Sequence, residues 1–264
     1  MPSLFQSLEA QELKEDEKPM FDVLKASLYY PTTANVLPRR LADDIVFFCD
    51  SADVEDVYEG ILTIAWYLIF DMICYIPSDH LWDHDTYELS WQELPCFSMQ
   101  LDAHMDRVRE KDTEFQNLNS FAARLSATDV VGSDRYPLVE LRYALEESVD
   151  KSSDHLLWVA SEWLIRCADQ IYGVMHEVLQ LPERRGWWTP GKAFEEKDGV
   201  TPFSIGRWNL WKERLSEEKR RLLSSSNSET GIPDLVERLH RALQKMNEAE
   251  WAAELKINIS KTEQ

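Results

Sequence analysis

Two histidines one helical turn apart, His80 and His84, stand on either side of Asp83 in the run Asp79-His80-Leu81-Trp82-Asp83-His84-Asp85. On a helix they would share a face, and two imidazoles with a carboxylate form a ligand set for a divalent metal. A wet acidic loop with two titrating histidines fits the same residues, because only short spans here read as helical and no further strong ligand follows. A second set is acidic: Asp43, Asp44, Asp50, Asp53, Glu55, Asp56 and Glu59. Hard divalent cations take oxygen ligands, and clustered carboxylates on a helix would suit magnesium–diphosphate chemistry of the isoprenoid cyclase kind. The D-D-x-x-D spacing is absent, however, since Asp43-Asp44 is followed by Ile-Val-Phe-Phe, and no N-x-x-x-S-x-x-x-E partner occurs. Acids at a helix start explain Asp53 and Asp56 equally well. A third set combines aromatics with cations: Arg207, Trp208, Trp211, Lys212 and Arg214. Arg207 and Trp211 lie one turn apart, which permits a cation–π contact. Trp208, Trp211 and Leu215 form a stripe at i, i+3, i+7. That pattern reads as a helix docked by its tryptophans before it reads as a pocket for an anionic ligand.

Nucleophilic and nucleotide chemistry have little support. G-x-S-x-G, a P-loop and a dinucleotide fingerprint are all missing. Asp154 and His155 are neighbours on a helix and so face different ways. Cys167 falls on an apolar stripe, and none of the four cysteines (Cys49, Cys74, Cys96, Cys167) forms a C-x-x-C pair. Free thiols in a cytosolic protein are the expectation.

The elements that must position these residues read as helices. Expected spans are Leu4–Lys18, Met20–Tyr30, Pro38–Cys49, Val54–Ile76 with Asp53 as N-cap, Phe97–Arg109, Glu114–Ala127, Pro137–Val149 and Ser153–Leu181. A helix from Pro202, capped by Thr201, to Leu223 and one from Pro233 to Leu255 complete the set. Ile61–Ile76 carries one charge, Asp71, in sixteen residues. It is shorter than the roughly 20 residues that a membrane span needs, so a buried central helix is expected. Gly173 interrupts the longest helix and suggests that a neighbouring helix comes close. The segment Pro182–Lys212 holds four of the ten tryptophans and four of the eight glycines, a loop that must bury its aromatics against the helices.

Composition agrees with helices: eight glycines in 264 residues is about half the usual share. The formal charge of −20 is uneven. Met1–Glu110 has 22 acidic and 7 basic residues, net −15, while Arg207–Lys245 has 6 acidic and 9 basic, net +3. A phosphate backbone would be repelled by the first part, so no nucleic-acid partner is expected; the asymmetry would serve a basic partner or a head-to-tail contact within the chain, though such a run is more often a solvated acidic surface.

Four segments in order resemble a fungal family known as a domain of unknown function, numbered 3632. They are Trp91-Gln-Glu-Leu94-Pro95-Cys-Phe97, Asn117-Leu-Asn119-Ser-Phe121-Ala-Ala-Arg124-Leu125, Trp188-Thr-Pro-Gly191-Lys-Ala-Phe194 and Phe203-Ser-Ile-Gly-Arg207-Trp208-Asn-Leu-Trp211-Lys212-Glu-Arg214-Leu215. The resemblance runs from about Ile61 to Met246 and leaves the first sixty residues outside. It implies a soluble helical protein of fungal origin and supplies no catalytic residues.

The fold expected is therefore all-α, a single irregular bundle of about nine helices with a Trp/Gly/Pro-rich loop. Its parts would be acidic helices over 1–50 packed on the bundle, a main helical domain over 51–255 and a flexible tail over 256–264. The function expected is that of a cytoplasmic binding or interaction protein without catalysis of its own. Its ligand site would join Asn119, Arg124, Trp188, Arg207 and Trp211, for a protein or small-molecule partner. The alternative is an enzyme of specialised metabolism using a helical cavity, such as a metal-dependent isoprenoid-diphosphate cyclase. No cofactor is expected, with a divalent metal at His80, Asp83 and His84 as the exception. No membrane partner is expected, and a homodimer through the Trp-rich segment is a third option.

Overall fold

The computed structural model describes residues 13–15, 17–29, 55–75, 97–127, 135–147, 153–176, 186, 189–194, 203–224 and 232–262. The chain is an all-α bundle, and the described residues contain no strand. The helices are α1 (Lys18–Tyr29), α2 (Glu55–Cys74), α3 (Phe97–Val108), α4 (Asp112–Ala127), α5 (Arg135–Leu145), α6 (Asp154–Val174), α7 (Ile205–Ser224) and α8 (Ile232–Thr262). The chain forms two compact units, Met1–Phe121 and Ala122–Gln264, and the division falls inside α4.

In the first unit α2 is apolar on nearly every side. Ala65, Leu68, Phe70, Met72, Ile73 and Cys74 are all buried. One face receives Met20, Phe21 and Leu24 of α1. The other receives α3, whose Phe97 ring meets Trp66 edge-on at 5.1 Å and Phe70 at 5.5 Å. Asn117 of α4 donates its side-chain amide to the Cys74 carbonyl at 2.8 Å, which satisfies one of the acceptors that a helix end leaves open. No helix among the described residues is long and apolar enough to cross a membrane.

In the second unit α6 is the axis. Leu157, Ala160, Trp163, Leu164, Cys167 and Ile171 are buried along it. Its φ/ψ leave the helical range at Cys167 (−123°, 18°), where the thiol donates to the Ala123 carbonyl at 3.4 Å. Arg238 near the start of α8 bonds Ser161 and Glu162 near the start of α6, while Lys245 and Trp251 further along α8 share a groove with Arg166 and Asp169 further along α6. These two helices run parallel. Helix α7 lies antiparallel to both, with Arg221 near Asp154 and Trp208 against Tyr172 on α6, and Lys219 near His240 and Lys212 on Glu250 of α8.

Helix ends differ from the sequence pattern where a local bond outbids it. Helix α6 stops at Val174, seven residues short of Leu181, where Met175 N–H donates to the Ile171 carbonyl at 3.2 Å and His176 N–H closes a tightened last turn on the Gly173 carbonyl at 3.0 Å. Among the described residues nothing lies within 4 Å of a Cβ placed on Gly173, so none of the described helices requires it. Helix α7 begins at Ile205 rather than Pro202. Ser204 ends the loop instead, its Oγ accepting the Arg207 N–H at 3.2 Å. Helix α8 continues past Leu255 to Thr262. The expected helix over Leu4–Lys18 lies outside the described residues up to residue 12, and its described residues 13–15 and 17 are not helical; the expected helix over 38–49 and the Asp53 cap lie outside the described residues.

Candidate functional site

Residues 189–194, the described part of the Trp/Gly-rich segment, are held by one carboxylate that the sequence reading passed over. Glu146 follows the last residue of α5 and is fully buried. Its Oε1 accepts Arg207 Nε at 2.7 Å and Trp211 Nε1 at 2.7 Å; its Oε2 accepts the Gly191 N–H at 2.5 Å and a second Arg207 nitrogen at 3.3 Å. Its backbone carbonyl accepts the Ala193 N–H at 3.0 Å. The loop closes locally as well. Gly186 N–H donates to Thr189 Oγ1 at 2.9 Å, and Thr189 N–H returns to the Gly186 carbonyl at 3.0 Å. Gly191 is required sterically, because a Cβ there would stand 2.6 Å from the Glu146 Cβ and 3.0 Å from its carbonyl carbon. Phe194 is then carried into the core.

Arg207 is buried completely, with its guanidinium 5.2 Å from the Trp211 ring centroid. Burial pulls its pKa below the usual arginine value, and the Glu146 carboxylate pulls it back up. A buried pair of this kind is tolerated only when the remaining donors and acceptors are satisfied, and here Trp211 and Gly191 contribute to that. Arg207 and Trp211, two of the expected ligand-site residues, are thus brought together, and they face a carboxylate of their own chain. Asn119 belongs to the first unit, where its side chain donates to the Phe115 carbonyl one turn back at 3.0 Å. Arg124 is buried on the part of α4 that belongs to the second unit. Trp188, and the metal set His80, Asp83 and His84, lie outside the described residues. Among the described residues no group of three metal-ligating side chains converges.

A second buried polar cluster lies in the first unit. Asp71, the single charge of the apolar run, meets Arg107 and His104 of α3. The Arg107 guanidinium donates to Asp71 Oδ1, reaches His104 Nε2 at 2.6 Å and bonds the Tyr67 hydroxyl at 3.0 Å. Burial lowers the His104 pKa, helped by Arg107 and opposed by Asp71. The His104 Nε2 lies between the Arg107 guanidinium and Asp71 Oδ1 at 3.4 Å, and the tautomer decides which of the two it bonds. Burial works to raise the Asp71 pKa, but the bonds from His104 and Arg107 outweigh it and hold the carboxyl below its usual range. Cys74, one turn along, has its thiol pushed up to about 12, mainly by burial, so it offers no thiolate nucleophile.

The open surface of the second unit has a different character. A groove of about 410 Å³ runs between α6 and α8. Ile165, Ala168 and Ala252 contribute its apolar lining, Arg166 and Lys245 its cations, Asp169 and Glu248 its acids. Trp251 also lines it and is 64% exposed. Behind the groove, Glu162 of α6 takes Arg166 Nε at 2.5 Å and the Arg238 guanidinium, which stacks 3.9 Å from the Trp158 centroid. Burial raises the Glu162 pKa, but the two arginines more than reverse this and keep it low. The sequence held a signal for Trp251. The buried stripe of α8 is Leu235, Leu239, Ala242, Met246 and Ala249, and residue 251 falls off it.

No curated protein and no solved structure matches the chain. The sequence model of one family, described as protein of unknown function (DUF3632), matches residues 42–215. That span begins inside the first sixty residues, which the four-segment resemblance had left out, and it ends at the close of the last segment. The match covers more than half of the sequence, so the chain belongs to the DUF3632 family.

Proposed function

We propose that the chain is an interaction protein that holds a partner and does no chemistry on it. The observation that carries this reading is Trp251, 64% exposed beside a groove of about 410 Å³. A large aromatic left in water at the rim of a cleft loses burial energy unless something covers it. The buried charges support the same reading from the other side. Glu146, Asp71 and Glu162 are each paired with arginine inside the chain, a structural use that leaves them committed. A cytoplasmic setting and a fungal source belong to this proposal as well.

Native mass spectrometry of the protein taken gently from its host tests it. The expected result is a retained partner that is lost from the Trp251→Ala variant. A retained small molecule that Trp251→Ala leaves in place, or no partner on either protein, would count against it.

A further inference from the structure

We infer that Lys219 and Arg220 of α7 and His240 of α8 form a binding site for a phosphate monoester, with the apolar group of the ester laid on Leu223. The site goes beyond the interaction reading. It lies on the α7 side of α8, about three turns before Trp251, and neither reading depends on the other. Three observations converge on it.

The first is a contact between bases. Helices α7 and α8 run antiparallel, and across their seam Lys219 Nζ stands 3.1 Å from His240 Nδ1. Arg220 comes next on α7, its Nε donating to the Ser216 carbonyl at 3.3 Å. Lys219 is half-buried, while Arg220 and His240 are exposed. None of the three makes an ion pair among the described residues. The chain has 48 acidic against 28 basic residues, so three neighbouring bases without a carboxylate run against its composition.

The second is where the nearby acids are. Side chains on a helix meet those three and four residues away. Around Lys219 these positions hold Leu215, Ser216, Leu222 and Leu223, with no acid among them. Glu217, within a turn of Arg220, is taken by Arg214 at 3.3 Å, and Glu218 is taken by Arg221 at 2.5 Å. On α8 a single acid, Glu237, lies within a turn of His240 and balances one charge at most. The charge left at the seam is therefore positive, although the chain carries −20. Salt confines such a local excess to about 10 Å, so an anion is held here by contact and not steered from afar.

The third is the match of donors and surface to one ligand class. A lysine ammonium has three N–H donors, a guanidinium five and an imidazolium two. A phosphate monoester brings three acceptor oxygens and a charge of about −1.5 to −2, enough for all three groups, where a carboxylate has two oxygens and one charge. Apolar surface borders the bases. Leu223, one turn past Lys219, is 55% exposed, and Val236 and Leu243, one turn either side of His240, are half-buried. Bare phosphate leaves that surface in water, and an alkyl or aryl ester covers it.

The test uses the full chain in about 0.15 M sodium chloride, where long-range attraction is screened. It follows the imidazole Cε1–H resonance of His240, assigned by its absence in His240→Gln. Phenyl phosphate is expected to shift that resonance saturably, inorganic phosphate to bind about threefold to tenfold more weakly, and benzoate to leave the resonance alone. Lys219→Gln and Arg220→Gln are each expected to weaken phenyl phosphate about threefold to tenfold. Arg241→Gln is the control. Arg241 is exposed and makes no ion pair among the described residues, but it shares a flank of α8 with Arg238 and Lys245, which face α6, and its loss is expected to change nothing. Arg220 and Arg241 are both exposed, so their variants fold and carry the comparison if Lys219→Gln does not. A capped Ala-phosphotyrosine-Ala peptide identifies the source. Binding tighter than phenyl phosphate supports the site as a reader of a phosphorylated side chain, and binding no tighter supports it as a site for a small phosphate ester. The absence of a saturable shift with phenyl phosphate, an equal shift with benzoate, or an equal loss in Arg220→Gln and Arg241→Gln overturns the site.

Discussion

At the scale of single residues, one buried carboxylate fixes a loop, the end of one helix and the start of another. Converting Glu146 to Gln removes the charge that Arg207 needs in a fully buried site. Breaking a buried pair from one side typically costs about 3–5 kcal/mol, against a whole-domain stability of roughly 5–15. Glu146→Gln is therefore expected to lower the urea midpoint sharply. The double variant Glu146→Leu/Arg207→Met, which removes both charges, should recover part of the loss. Urea unfolding of the singles and the double decides this, and equal midpoints for Glu146→Gln and wild type would contradict the clasp. Gly191→Ala tests the steric half. Its Cβ would press on backbone as well as side chain of residue 146, and overpacking of this kind costs about 1–3 kcal/mol. The sequence revealed half of this arrangement. Arg207 and Trp211 were legible because they are one turn apart on a helix, where spacing alone sets proximity. Glu146 was not, because its partners lie 45 to 65 residues away and local pattern is silent about pairings at that range.

At the scale of elements, the helices were legible wherever an apolar stripe is long, as in α2, α6 and α8. Their ends were not, since ends are decided by individual bonds such as that of Ser204 to Arg207 N–H. Gly173 follows from the same distinction. It lies in α6 with no described residue within 4 Å of an added Cβ, so Gly173→Ala should raise stability by up to about 1 kcal/mol through helix propensity alone. A fall in the thermal midpoint would mean that the glycine has a partner after all. The α2–α3 pair carries a pH dependence of definite sign. The His104 pKa is depressed in the folded chain, so the unfolded chain binds that proton more readily, and stability is lost as pH falls below the usual histidine value near 6.5. Asp71 is depressed too; its contribution is present above about 3.8 and disappears as pH falls further. The expected outcome is a stability that declines from pH 7 to pH 5 and declines less in His104→Gln. A wild-type profile flat across that window, or one unchanged by the substitution, would count against the neutral imidazole.

At the scale of the whole molecule, all-α architecture was readable from scarce glycine and helical periodicity. The division into Met1–Phe121 and Ala122–Gln264 was not, because it passes through the middle of a continuous helix and leaves no break in composition. Charge also acts at this scale. With 48 acidic against 28 basic residues the average long-range interaction is repulsive, while the buried pairs at Glu146, Asp71 and Glu162 are sheltered from ions. Raising sodium chloride from roughly 0.01 M to roughly 0.3 M shortens the screening length from about 30 Å to about 6 Å and should lift the thermal midpoint. A midpoint that drops would indicate that surface ion pairs dominate.

The position of α8 has a practical consequence for anyone dividing the gene. The family match stops at Leu215, part-way along α7, yet the helix that covers α6 and α7 begins only at Ile232. A fragment ending at the codon for Leu215 would deprive Glu162 of Arg238 and the Trp208 indole N–H of Glu250, and would open the apolar side of the axial helix to water. The stretch that the family model matches is shorter than the piece expected to fold. Such a fragment should come out of cells as aggregate, and one extended through α8 should not.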